Sequence, residues 1–169
     1  QQLPWLDVVA DAHFLPFSDN SFANIVLIDT LHHLESPHTF LSETARVLEA
    51  GGRLVMVEPA ITPISWLVYN FLHPEPVILS SRALDQHVVR GNRDPFDANQ
   101  AVPTTLFWRD IAEFRRTFPE FRILHREKFA ILSYLLSGGF RRWSLLPFRV
   151  AKKFLQIERV LDPWLAPGM

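Results

Sequence analysis

The amino-acid sequence predicts an α/β fold built around a parallel sheet. Two stretches, 23–28 and 53–58, contain short unbroken apolar runs, and the first is typical of a parallel strand covered on both faces. Between them, residues 36–50 place apolar side chains at helical spacing. A strand, a helix and a second strand joined by short connections form a crossover unit, so we expect the two strands to be parallel.

The predicted helix carries signals at both ends. Ser36 is a favourable N-cap, and Pro37 suits the first helical position, where no backbone N–H is needed. Gly51 and Gly52 are predicted to end the helix, because glycine tolerates the left-handed backbone of a C-cap. The apolar residues of the helix are Phe40, Leu41, Ala45, Val47 and Leu48.

Outside the crossover unit, the pattern is less regular. The predicted elements there are strands at 6–10 and 121–131 and helices at 64–72, 106–117 and 147–161. The stretch 60–105 contains a long loop-like segment, and loops of that length usually have a function. We therefore predict one partial domain over 1–169, with a lid or substrate-binding insertion at 60–105.

Composition excludes several kinds of protein. The chain has no cysteine, which excludes disulfides, thiolate metal sites and cysteine nucleophiles. No apolar run is long enough to span a bilayer and no signal peptide precedes the first predicted strand, so we expect a cytoplasmic protein. The chain begins with Gln1 and almost at once enters a predicted strand, so we expect that a natural N-terminal segment is missing.

Charge is distributed unevenly along the chain. Residues 1–105 contain 12 acidic and 5 basic side chains, whereas residues 106–169 contain 6 acidic and 12 basic ones.

Three acids, Asp11, Asp29 and Glu58, each follow directly after an apolar run. Ligands of open α/β sheets bind outside the carboxyl ends of the strands, so acids delivered there are candidates for a binding site.

A series of short motifs carries a family resemblance. In chain order they are Asp11-Ala12, Leu15-Pro16-Phe17, Ser21-Phe22, Leu31-His32-His33, and Arg46-Val47-Leu48 with Gly51-Gly52. Their order and spacing resemble class I S-adenosylmethionine-dependent methyltransferases of the "methyltransferase type 11" kind. The likeness covers about a third of the chain. At Ala23 the sequence departs from the family, which usually has Asp there.

The resemblance implies a Rossmann-like methyltransferase sheet of seven strands, in the order 3-2-1-4-5-7-6, with helices on its faces. Residues 6–10, 23–28, 53–58 and 121–131 would be strands three to six, so the sheet is incomplete. The family's glycine-rich loop after strand one is absent from this sequence. Because the two strands that separate strands three and four are also absent, we expect 6–10 to be poorly or unnaturally paired.

The resemblance also implies the cofactor S-adenosylmethionine and a set of binding residues. By resemblance, Asp11 accepts a hydrogen bond from the adenine amine, and the backbone N–H of Ala12 meets a ring nitrogen. Ile28 and Asp29 would line the cofactor near its sulfonium.

Methyl transfer is mainly a matter of alignment, and a base is needed only for a protonated acceptor. His33 is the candidate base, and His32, His33 and Glu58 are candidates for the acceptor pocket. Packing or capping of the following helix is the alternative explanation for the two histidines. A metal site formed by His32, His33, Glu35 and His38 is rejected, because their spacing spans a loop and a helix start; we predict no metal.

The acceptor is expected to be an apolar, amphiphilic or lipid-linked small molecule, because the predicted lid is rich in aromatic and aliphatic residues. Residues 140–161 combine aromatic and basic side chains, so we expect peripheral membrane contact there. We expect no nucleic-acid partner, since no nucleic-acid-binding module is recognisable and the N-terminal part is acidic.

Three other classes of function are distinguished by the motifs that they require. An α/β-hydrolase requires Gly-x-Ser-x-Gly, and a nicotinamide dehydrogenase requires a catalytic pair such as Tyr-x-x-x-Lys; the sequence contains neither motif. The remaining alternative is a non-catalytic, methyltransferase-like structural or binding module. This chain by itself is expected to be inactive, because it holds only part of a cofactor site.

Overall fold

The fold is a two-stranded parallel sheet with helices, seen in a computed structural model that describes residues 7–72, 75–85, 94, 97–137 and 144–165. Along the chain the elements are β1 (Phe22–Ile28), a 3-10 turn (Leu31–His33), α1 (Pro37–Val47), β2 (Leu48–Val57), α2 (Pro63–Leu72), α3 (Val102–Thr104), a π-helical turn (Thr105–Arg109), α4 (Ile111–Thr117), α5 (Ile131–Ser137) and α6 (Phe148–Leu165).

The predicted crossover unit is confirmed. β1 and β2 pair in parallel, with Asn24 opposite Arg53 and Ile28 opposite Val57. Because the strands run the same way, both carboxyl ends, and the residues that follow them, lie at one edge of the sheet. Whether these strands are the fourth and fifth of a seven-stranded sheet stays a prediction.

The sheet is covered on one face only, so the prediction of cover on both faces is wrong for the described part of the chain. Ile25, Leu27, Leu54 and Met56 pack in the main core. On the other face, Val26 and Ile28 are each 63% exposed, and Val55 and Val57 of β2 are exposed as well. The apolar runs have no alternation, so they could not show that only one face would be packed.

The core lies between the inner face of the sheet, α1 and the segment 102–123. Its buried members are Leu27, Leu31, Phe40, Leu41, Ala83, Leu84, Val102, Leu106, Phe114 and Phe118. A smaller cluster under α2 contains Ile61, Tyr69 and Ala101, with Val77 and Leu79 against it. The second cluster joins the stretch 75–79 to α2 and to the start of α3.

The N-cap of α1 is confirmed. The Ser36 Oγ atom accepts a hydrogen bond from the Thr39 backbone N–H at 3.2 Å, and Pro37 occupies the first helical position. Near the other end of α1, Arg46 holds the turn that precedes β1. Its guanidinium donates to the carbonyl oxygens of Leu15 and Phe17, at 3.0 and 2.8 Å, and to the carboxylate of Glu43.

The predicted end of α1 at Gly51 and Gly52 is wrong. The helix ends at Val47, and β2 begins at the next residue. The register between the strands shifts near Phe22 and Asn24, which absorbs the extra residues of β2. Gly51 does have the left-handed backbone that its residue type suggested, with φ of +82°, but it uses that conformation within this strand irregularity.

Two predicted strands are not present. Residues 7–10, the described part of the 6–10 prediction, form no strand and are exposed, in keeping with the expectation of poor pairing. Residues 121–130 form neither a helix nor a strand, and residue 131 begins α5. Phe121 and Ile123 are nevertheless packed against the core. A strand needs a hydrogen-bonded neighbour, and sequence pattern alone does not supply one.

Two of the three other predicted helices, α2 and α6, are confirmed. The helix predicted at 106–117 is divided, since a π-helical turn ends at Arg109 and α4 begins at Ile111. Within the described residues, none of the helices combines the length and the apolar character needed to cross a bilayer.

We expect Gly51→Ala to lower the free energy of unfolding by about 1–2 kcal/mol, because a Cβ disfavours the left-handed backbone at this position. No atom lies within 4 Å of a Cβ added there, so steric overlap does not contribute. Gly51→Asn is the matched variant, since asparagine tolerates positive φ. Urea denaturation should show a smaller loss for Asn than for Ala. Equal losses would contradict the backbone explanation.

Candidate functional site

The carboxylate of Glu58, directly after β2, is the centre of the polar site at the carboxyl edge. Its Oε1 atom accepts hydrogen bonds from the backbone N–H groups of Thr30 and Leu31, at 2.8 and 2.7 Å. Its Oε2 atom lies 2.9 Å from Nδ1 of His32. The Glu58 side chain is 5% exposed, so these three donors replace the water that a buried carboxylate has lost.

Glu58 acts as the N-terminal cap of the 3-10 turn Leu31–His33. Thr30 stands at the N-cap position of this turn and makes no side-chain cap hydrogen bond. The backbone N–H groups at the start of the turn, which have no partner within it, instead donate to Glu58, the residue after β2. The same contact ties the connection after β1 to the neighbouring strand, so the acid predicted for the acceptor pocket also has a structural role.

The contact with Glu58 also fixes the tautomer of His32. A carboxylate only accepts hydrogen bonds, so the His32 Nδ1 atom must carry the proton that is shared with Glu58. In the neutral ring, the Nε2 atom then holds a lone pair. His32 is only 2% exposed, and its Nε2 atom lies 3.9 Å from Oδ1 of Asp29 and 3.7 Å from Oε2 of Glu75.

Asp29 follows β1 in a left-handed conformation, with φ of +52°. Its backbone N–H donates to the Val57 carbonyl at 2.8 Å, which continues the parallel ladder by one residue. Burial raises the pKa of the Asp29 carboxyl above its usual value, and the negative charges of Glu58 and Glu75 raise it further against the opposing effect of His32 and His33. Three carboxyl groups, those of Asp29, Glu58 and Glu75, therefore influence one another at this edge.

Glu75 was not predicted as a site residue, and no local motif identifies it. It reaches the site because Asn99 and Gln100 hold its segment. The Asn99 backbone N–H donates to the His32 carbonyl at 2.9 Å, while the Asn99 side chain exchanges two hydrogen bonds with the backbone of Ile78. The Gln100 amide donates directly to the Glu75 carboxylate. The stretch predicted as a lid thus supplies one wall of the site.

Two tyrosines lie close to the same carboxylates. Burial is the main cause that raises the pKa of Tyr69 on α2, and the charges of Asp29 and Glu75 contribute. Burial and the same two carboxylates raise the pKa of Tyr134 on α5. The phenols therefore stay protonated and can serve as hydrogen-bond donors on the α2 and α5 side of the site.

Asp11 lies in a second group of polar contacts, with His13 and Ser36. Its Oδ1 atom accepts from the His13 backbone N–H at 2.9 Å and lies 2.7 Å from the His13 Nδ1 atom. The His13 Nε2 atom accepts from the Ser36 N–H at 3.1 Å, which links this loop to the start of α1. The backbone hydrogen bond from His13 is the main cause that lowers the pKa of Asp11.

The structure sorts the predicted site residues into groups. Asp29, His32, His33 and Glu58 meet at the carboxyl edge, where the His33 Nε2 atom lies 3.9 Å from Oε1 of Glu75. The carboxylate of Asp11 makes its described hydrogen bonds with His13. His13 was not predicted as a site residue, although an acid two positions before a histidine is a usable signal. The His38 ring packs 5.2 Å from Phe118 in the core.

Comparison with known proteins supports one family. Residues 1–56 match the family model described as "Methyltransferase domain". The chain is 42% identical over 67 residues to the ubiquinone/menaquinone biosynthesis C-methyltransferase of Haemophilus ducreyi. This match covers 38% of this chain and 26% of that protein. It is 34% identical over 98 residues to the fatty-acid O-methyltransferase of Mycolicibacterium smegmatis, covering 56% of this chain and 35% of that protein.

A longer match reaches into the later part of the chain. Over 141 residues, the chain is 33% identical to phthiotriol/phenolphthiotriol dimycocerosates methyltransferase 1 of Mycobacterium ulcerans, covering 81% of this chain and 48% of that protein. The chain thus spans less than half the length of each of these three relatives. No solved structure is significantly similar to it. The matches confirm the resemblance to class I S-adenosylmethionine-dependent methyltransferases.

We expect Glu58→Gln to lower the free energy of unfolding by about 1.5–3 kcal/mol, because the amide must turn an NH₂ group toward buried donors. Glu49→Gln is the matched control, since Glu49 is exposed on the same strand. That control should stay within about 0.5 kcal/mol of the parent protein. Chemical denaturation of both variants tests this. Equal stability of Glu58→Gln and Glu49→Gln would contradict the capping role.

Proposed function

We propose that the protein transfers a methyl group from S-adenosylmethionine to a small apolar or amphiphilic acceptor of the lipid or quinone type. The observation that carries this proposal is the methyltransferase-domain match over residues 1–56, which includes Asp11 and the histidine pair. Asp29 and the histidine pair stand at the carboxyl edge of a parallel sheet, where ligands of such folds bind.

On the cofactor side, the proposed contacts are those of Asp11, Ala12, Ile28 and Asp29. Both contacts of Asp11 with His13 use the Oδ1 atom, so Oδ2 can accept from an adenine amine. Asp11 is kept ionised at neutral pH by its lowered pKa, which suits a charge-assisted hydrogen bond. Asp29 at the end of β1 supplies a carboxylate that would favour a nearby cation.

On the acceptor side, S-adenosylmethionine supplies an activated methyl group, so the protein has to align the acceptor and accept a proton where the acceptor carries one. His33 is the proposed base, because it is more exposed than its neighbour His32. The carboxylate of Glu75, 3.9 Å away, would stabilise its protonated ring.

The acceptor class rests on two supports. The relatives are methyltransferases named for ubiquinone and menaquinone, for a fatty acid, and for phthiotriol and phenolphthiotriol dimycocerosates. In this chain, α2 leads away from the site with Trp66, Leu67 and Phe71 exposed. An apolar acceptor would cover that surface and remove it from water.

We also propose that α6 attaches the protein to a membrane surface. Glu158 holds α6 to α5 by accepting hydrogen bonds from the backbone N–H groups of Leu132 and Ser133. A neighbouring side of α6 exposes Val150, Ile157 and Leu161, with Ile157 61% exposed. Exposed basic residues on the same helix are Arg149, Lys152, Lys153 and Arg159. An apolar side flanked by cations suits the interface of an anionic bilayer.

We expect Asp11→Asn to weaken S-adenosylmethionine binding by roughly 10–100-fold, which corresponds to the loss of a hydrogen bond to a charged group. Isothermal titration calorimetry of the protein measures this directly. Asp7→Asn, the same change at an exposed position four residues earlier, should bind like the parent.

Equal binding by both variants would overturn the role of Asp11. If the full-length protein does not bind S-adenosylmethionine, the proposed transferase activity fails. The non-catalytic module would then be the better account of the chain. Thermal unfolding of each variant should be measured in parallel, because Asp11 also orients His13.

We expect Ile157→Glu to abolish co-sedimentation with vesicles that contain phosphatidylserine. Gln156→Glu is the matched control, because it adds the same charge at the adjacent exposed position, outside the apolar side of α6. The control should keep most of its binding. If neither variant changes the bound fraction, or the parent does not bind vesicles, the membrane role of α6 is wrong.

A further inference from the structure

We propose that His32, His33 and Glu75 bind a divalent transition-metal ion, with Zn²⁺ as the reference ion. Each of the three side chains offers one ligand atom, and these atoms all lie within 4.8 Å of one another. From the sequence no metal is predicted, because the histidine and acidic residues near the pair span a loop and a helix start. Glu75, which follows α2, changes that assessment because the fold brings it to the pair.

The first support is the orientation of His32. Its Nδ1–H group is bound to Glu58, so the Nε2 lone pair is directed into the site. No described hydrogen bond uses Nε2, and the nearest carboxylate oxygens, at 3.7 and 3.9 Å, are beyond hydrogen-bond distance. A histidine that binds a metal through one ring nitrogen commonly donates the N–H of the other ring nitrogen to a carboxylate.

The second support is the spacing of the ligand atoms. Nε2 of His32 and Nε2 of His33 lie 3.7 and 3.9 Å from the two oxygens of Glu75. Ligands at about 2.1 Å from a tetrahedral zinc ion are about 3.4 Å apart. The three ligand atoms, which lie within 4.8 Å of one another, would therefore move closer together to coordinate one ion.

The third support is the anchoring of the carboxylate ligand. Gln100 is buried and donates its amide N–H to Glu75. On the other side of the site, the Glu58 carboxylate accepts a hydrogen bond from the Nδ1–H group of His32 and so restrains that ring. Thus two of the three ligands have a hydrogen-bonded partner behind them, which restricts their motion and favours binding by a preformed site.

The donor set also suits the ion. Two imidazoles and one carboxylate are ligands that Zn²⁺ accepts with a fourth position left for water or substrate. Asp29, 3.9 Å from the His32 Nε2 atom, adds negative charge beside that position. This inference rests on the proposed function and changes one role in it: with the ion bound, His33 would be a ligand rather than a base, and an acceptor hydroxyl bound to the ion would have a lowered pKa and would release its proton to solvent.

Zn²⁺ binding can be tested on the protein without any cofactor or acceptor. Isothermal titration with Zn²⁺, and Co²⁺ absorption as a probe of coordination, should show one bound ion per chain. We expect His33→Ala and Glu75→Gln each to weaken binding by at least about tenfold. His125→Ala and Glu127→Gln are the controls, because these exposed residues form a histidine–glutamate pair at 3.4 Å elsewhere on the surface.

Unchanged binding by both control variants together with the loss in the two site variants would support the proposal. No saturable binding by the parent protein, or equal losses in site and control variants, would overturn it. Circular dichroism identifies a variant that fails to fold, and in that case Co²⁺ absorption of the parent decides: the absence of a coordination spectrum overturns the site. S-adenosylmethionine binding, measured separately, tests the transferase proposal. The two proposals can therefore fail independently of each other.

Discussion

The interaction on which the site depends is the buried carboxylate of Glu58 with its three donors. A charge removed from water is costly unless donors surround it, and here two backbone N–H groups and one imidazole do so. The contact joins the chain leaving β1 to the end of β2. It also decides which nitrogen of His32 faces the site, and so it links the packing of the sheet to the chemistry at its edge.

The same device is used again farther along the chain. The carboxylate of Glu158 on α6 caps the first backbone N–H groups of α5. Glu43 and Arg46 on α1 act in a related way, since together they bind the backbone of Leu15 and the turn that follows it. In each case a charged side chain from one element satisfies the backbone of another, which holds segments together where the sheet is too small to do so.

The segment 75–79 and the start of α3 show how distant residues complete the site. Asn99 and Gln100 use their side chains to hold this segment against the 3-10 turn, and Glu75 is thereby placed beside the histidine pair. The site consequently combines residues from the family-matched part of the chain with residues outside it.

The sequence by itself determined the crossover unit, the N-cap at Ser36 and the arrival of Asp29 and Glu58 at one edge, because these depend on local pattern and chain direction. The tertiary structure alone decided that residues 121–130 pair with no strand in the described part of the chain, since a segment becomes a strand only through a hydrogen-bonded neighbour. It alone also decided the link of Asn99 to His32 and the placement of Glu75, because contacts between residues far apart in the chain depend on how the elements pack.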